Sequence, residues 1–130
     1  KYIPSDARVY ILTSWKDQGG PVGDPAIAQR YQDAWARISD VQPPETHIYI
    51  LGVKSGDSPM HDRYYITGAE CGIEIGTSKS GLGRKESHIR SLDSDEAAKI
   101  EIERIDRLMV SPPLHFKGER LIMRTFTLNK

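Results

Sequence analysis

The chain alternates between two hydrophobic periods, and the points where the period changes mark its elements. Arg8-Val9-Tyr10-Ile11-Leu12-Thr13 is a short apolar run rich in β-branched and aromatic residues, which predicts a strand. From Ser14 to Asp24 the pattern breaks around Gly19-Gly20-Pro21 and Gly23, the signature of a long loop. Pro25 then occupies a tolerated first-turn position, with Asp24 as the expected N-cap. Ile27, Tyr31, Ala34, Trp35 and Ile38 recur at spacings of three and four, which leaves Gln29, Arg30, Asp33 and Arg37 on the polar side of a helix. Pro43-Pro44 closes that segment.

His47 to Val53 reads as a well-buried strand, and Ser55 to Pro59 as a loop leading into a strand that begins at His61. A further strand, Cys71 to Ile75, follows through Gly68-Ala69-Glu70, so the two are expected to form an antiparallel hairpin. Ser87 to Leu92 predicts a short strand. A helix then starts at Asp93 or Ser94, carries Asp95 and Glu96 in its first turn, and ends at Pro112-Pro113. Its apolar side is drawn from Ile100, Ile105, Leu108 and Met109, and Arg120 to Leu128 is a last strand or arm. This order predicts an α/β fold, a mixed β-sheet flanked by helices, in a single domain over residues 1–130.

Composition narrows the picture only slightly. The chain has 130 residues, a formal net charge of zero and one cysteine, Cys71. The balanced charge gives no whole-molecule case for a polyanionic partner, so any such binding must be local. One cysteine excludes an internal disulfide and fits a cytoplasmic setting, and Cys71 itself reads as a small core residue. Trp15 and Trp35 read as packing residues, with Trp15 also placed to line a groove. No apolar run is long enough to span a bilayer. Lys1-Tyr2-Ile3-Pro4-Ser5 has neither an initiator methionine nor signal-peptide organisation, and a piece of a larger protein with further domains is expected.

The candidate chemistry lies between Met60 and Arg90. His61 and Arg63 stand two apart, which on a strand gives them one face. The following strand runs into Gly76-Thr77-Ser78-Lys79-Ser80-Gly81-Leu82-Gly83, a loop of hydroxyls, small residues and one cation. An imidazole, a guanidinium and a ring of small donors suit a phosphate group. Against this stand plainer readings: a strand-end histidine bonded to backbone, a solvated arginine and an ordinary Gly-Ser loop. Lys79, Arg84, Lys85 and Arg90 form a local positive run with a single acid, Glu86, suited to guiding a polyanionic backbone or simply to staying hydrated. His47, His88 and His115 with Cys71 make no recognised zinc spacing.

These residues resemble the phospholipase D-like superfamily, whose motif is a histidine, any residue and a lysine, then an aspartate, then a Gly-Ser-any-Asn loop. The resemblance runs from about Val9 to Val110, and it implies a phospholipase D-like fold with His61 as nucleophile and Ser78 as the loop serine. Three positions depart from the pattern. Arg63 replaces the lysine, Thr67-Gly68-Ala69-Glu70 offers no counterpart of the aspartate, and Ser80 stands at the asparagine position. A subset of the superfamily shares the His-Asp-Arg form. It includes the C-terminal domains of microtubule-interacting and trafficking domain proteins, which bind phosphoinositide membranes without hydrolysis.

Three functions follow as expectations. The first is a degenerate site that binds a phosphate-bearing ligand (nucleic acid, nucleotide or phosphoinositide) through His61, Arg63, Thr77, Ser78, Lys79, Ser80, Arg84 and Lys85. The second is a metal-independent phosphodiesterase or nuclease, needing no cofactor, with His61, Arg63 and Ser78 catalytic. One motif per chain then demands a homodimer, in which a second His61 protonates the leaving group. The third is a non-catalytic interaction or dimerisation domain. Loss of the aspartate weighs toward the first, because an attacking imidazole needs a partner that fixes its tautomer.

Overall fold

In the computed structural model, which describes residues 6–60, 63–68, 70–75 and 88–129, the first apolar run forms β1 (Arg8–Ser14). The run around His47 forms β2 (Glu45–Gly52), which pairs parallel with β1 so that Ile11 lies level with Ile48. The helix between them, α1 (Ile27–Ala36), is the crossover that two parallel neighbours require. The last strand, β8 (Ile122–Leu128), takes the other edge of β2 in antiparallel register, giving a mixed sheet in the order β1-β2-β8. With both edges of β2 occupied, the middle strands pair among themselves. β3 (Arg63–Thr67), β4 (Cys71–Ile75) and β5 (Ile89–Leu92) make a separate antiparallel sheet, in place of the single mixed sheet expected. The architecture is mixed α/β.

The chain divides into two compact units, Lys1–Pro59 with Leu114–Lys130, and Met60–Pro113. In the first, α1 packs Ile27 and Tyr31 onto the β-sheet face that carries Ile48, Ile50, Phe126 and Leu128, and Trp15 joins the same core. The stretch from Ser14 to Asp24 is not simply a loop. Trp15–Gln18 is a single 3-10 turn closed by Gly19 in left-handed conformation (φ 64°). Side chains fix that turn: Ser14 Oγ donates to Asp17 at 2.7 Å, Gln18 Nε2 to Thr13 at 3.0 Å, and Tyr31 Oη to Gln18 at 2.6 Å.

α1 departs from its predicted bounds at both ends. Asp24 accepts from the Ala26 N–H at 2.9 Å and so caps the preceding turn, while Ala26 is the N-cap residue. The helix stops at Ala36, well before Pro43, where Ser39 and Trp35 divert their bonds to the Val41 carbonyl. A short hairpin closes this unit, β6 (His115–Phe116) against β7 (Glu119–Arg120), turning through Lys117 (φ 49°) and Gly118 (φ 79°). Glu119 accepts from the Ser55 amide and hydroxyl, and Lys117 Nζ donates to Asp57 at 2.6 Å, which ties the hairpin to the loop after β2.

The second unit is the β3-β4-β5 meander and the helical stretch behind it. α2 (Ser94–Ile100) continues through π-helical turns at Glu101–Asp106 into α3 (Arg107–Val110), so the expected single helix is present with a change of winding at its centre. Among its described residues only Ala97 is fully buried. Cys71 is exposed, contrary to the core position expected of it, because it is the first residue after the hairpin turn.

Candidate functional site

The hairpin that should carry the site is fixed by its register. Arg63 lies opposite Ile75, Tyr65 opposite Ile73 and Thr67 opposite Cys71. Gly68 at φ 58° makes the turn, and the Glu70 amide donates to the Thr67 carbonyl at 3.1 Å. Ile75 in turn lies opposite Ile89 of β5. Arg63 at the start of β3, Ile75 at the end of β4 and Ile89 at the start of β5 therefore share one end of the sheet. Gly72 is required for the pairing, because a Cβ there would stand 2.6 Å from the Tyr65 carbonyl oxygen.

The sequence-derived site falls mostly outside the described residues: His61, Thr77, Ser78, Lys79, Ser80, Arg84 and Lys85 all do, and for Arg63 only the backbone is described. Among the described residues, two acids of the hairpin have defined places. Glu70 belongs to the hairpin turn, at the end opposite Arg63, and four residues of strand put the two ends about 13 Å apart. Glu74 is taken by Arg90, whose Nε and Nη2 donate to Glu74 Oε2 at 3.1 and 2.9 Å.

Arg90, expected on a short strand and in a local positive run, lies on β5. Its Nη1 also donates to Glu96 at 2.6 Å, so one guanidinium joins β4, β5 and α2. Glu96 completes a capping box with Asp93: the Glu96 amide donates to Asp93 Oδ1 at 2.8 Å, and the Asp93 amide to Glu96 Oε2 at 3.1 Å. The hydrogen bond from Arg90, then that from the Asp93 amide, holds the Glu96 carboxyl below its usual value, and Glu96 followed by Glu74 raises that of Arg90. The only advance signal was Asp93 followed three residues later by Glu96. Nearby, Arg104 Nη1 donates to Tyr64 Oη at 2.9 Å, with the guanidinium 6.0 Å from the ring centre. One sheet face, bearing Tyr64, Glu74 and Arg90, is thus joined to the helix by polar contacts, whereas Tyr65, Ile73 and Ile89 on the alternate positions are exposed.

No family model, curated protein or solved structure matches the chain.

Proposed function

We propose that this chain is a phosphate-ligand binding domain with a degenerate phospholipase D-like site, its ligand a nucleic acid, a nucleotide or a phosphoinositide. His61, Arg63 and the loop from Thr77 to Ser80 hold the anion, and Lys79, Arg84 and Lys85 draw it in. The observation that carries this reading is the register that puts Arg63 and Ile75 at one end of the β3-β4 hairpin. In sequence, His61 stands two residues before Arg63, and the hydroxyl-rich stretch Thr77-Ser78-Lys79-Ser80 follows Ile75 and Gly76.

The same register favours binding over turnover. An imidazole nucleophile needs a carboxylate that orients it. Glu70 sits at the far end of the hairpin and Glu74 is engaged by Arg90, so neither replaces the family aspartate.

The test is titration of the chain with inorganic phosphate and with a phosphorothioate oligonucleotide, followed by NMR and calorimetry. Binding that weakens with added salt, falls at least about tenfold in Arg63→Ala and is unchanged in Glu70→Ala supports the proposal. Cleavage of single-stranded DNA in EDTA, lost in His61→Ala, would replace it with the phosphodiesterase reading. Absence of both affinity and cleavage leaves a protein-interaction domain and overturns the site altogether.

A further inference from the structure

β1 is an end strand among the described residues: in the order β1-β2-β8 it pairs with β2 along one edge, and no other described strand pairs with it. An end strand presents backbone N–H and C=O groups that its own sheet does not use, and natural proteins commonly blunt such edges with charge, proline or a bulge. From Val9 to Thr13, β1 contains neither a charge nor a proline. The opposite end strand, β8, carries exposed Arg124 at its middle. β1 also borders an apolar groove of about 280 Å³, lined among others by Val9, Ile11, Tyr31, Trp35, Ile38 and Pro44. Ile38 on that groove is 77% exposed.

We propose that the open edge of β1 docks a second copy of this chain, pairing antiparallel about a two-fold axis to give one continuous six-stranded sheet. The strand is complementary to itself. Centred on Ile11, an isologous pair sets Ile11 against Ile11, Tyr10 against Leu12, Val9 against Thr13 and Arg8 against Ser14. No like charges face each other, and the central pairs set apolar, aromatic and β-branched side chains beside one another, residue types that suit strands. The ends are complementary in charge. Arg8, whose Nε lies 3.6 Å from the Glu45 carboxylate and whose side chain is still 69% exposed, also meets the end of the other strand where the Ser14 hydroxyl holds the Asp17 carboxylate, and symmetry makes this contact twice.

The alternation that faces Ile11 to Ile11 also keeps both copies of Val9 and Ile11 on the α1 side, so the two apolar grooves lie on the same face of the joined sheet. Pairing over seven residues falls short of the roughly 1,200 Å² that stable complexes bury, which sets the expected affinity in the micromolar range. The proposal does not rest on the phosphate reading.

Sedimentation equilibrium of the intact chain from about 1 to about 200 μM tests it. The expected result is a monomer–dimer equilibrium weakened at least about tenfold by Arg8→Asp and equally by Asp17→Arg, and recovered in the double variant. Amides of β1 should exchange more slowly as the dimer forms, with the circular dichroism of each variant unchanged. A chain that stays monomeric throughout overturns the proposal. So does a dimer indifferent to Arg8→Asp, or one whose β1 amides remain unprotected. Phosphate titration of Arg8→Asp separates this outcome from failure of the anion site, since the proposed dimer predicts unchanged phosphate affinity.

Discussion

A single guanidinium organises the second unit. Arg90 donates three hydrogen bonds to two carboxylates that belong to different elements, Glu74 of β4 and Glu96 of α2. Arg90 and Glu96 are half-exposed, though Glu74 is mostly covered, so the role of the arrangement is to orient rather than to contribute a large share of stability. Replacement shows what it orients. Arg90→Ala should lower the melting temperature modestly, with the difference from the parent chain shrinking in high salt. It should also let the Glu96 carboxyl rise toward its usual 4.5, measured by carboxyl-carbon NMR titration. The sign of the linkage follows from the lowered value. The Glu96 contribution is complete above its unfolded value and is lost as pH falls through the lower folded one, so acidification below about 4.5 weakens the parent chain and leaves Arg90→Ala less affected.

At the level of elements, the capping box and the hairpin are the joints most open to test. Asp93→Ala removes the acceptor of the Glu96 amide and should cost about 1 kcal/mol in chemical denaturation, with early loss of helical signal from 94–100. Gly72→Ala forces a Cβ against the Tyr65 carbonyl, so the backbone there must give, and amide exchange across Arg63–Thr67 should quicken. Both features were legible in the sequence, because each depends on residues close together in the chain: an Asp followed by Glu at the third position, and two apolar runs divided by a glycine turn. The strands β1, β2 and β8 were legible for the same reason, their periodicity being local. What sequence concealed was set by distant partners. Nothing around Trp15 announces a 3-10 turn, since Tyr31 and Gln18 stabilise it across thirteen residues. Arg90 looked like one cation among four, because its two carboxylates come from other elements. The π-helical turns at Glu101–Asp106 interrupt a helical pattern that the residues themselves continue.

Across the whole molecule, burial is unequally shared. Trp15, Ile27, Ile48, Ile50, Leu51, Val53 and Leu128 are buried in the first unit, whereas the described residues of the second supply Ile75, Leu92 and Ala97. Apolar burial is the main favourable term in folding and local opening is cheapest where it is sparse, so the first unit should be the more resistant. Native-state hydrogen exchange checks this directly. Amides of β2 should open only with global unfolding, while those of β3 and β4 exchange through a lower-energy local opening. Ile48, fully buried at the centre of the first core, gives the complementary test. Ile48→Ala should destabilise β2 by about 2–5 kcal/mol, through lost transfer free energy and the cavity left behind, and should leave the exchange of β3 and β4 unchanged wherever their opening is already local. Equal slowing of both sets of amides in the parent chain would instead mean one cooperative unit. The hairpin proposed to hold phosphate would then open only with the core, and anion binding would slow both sets of amides alike. With the inequality intact, phosphate should slow exchange at Arg63–Thr67 and Cys71–Ile75, because their local opening abolishes its site, and should slow β2 as well, since global unfolding abolishes that site too; a hairpin whose exchange is indifferent to phosphate would count against the site.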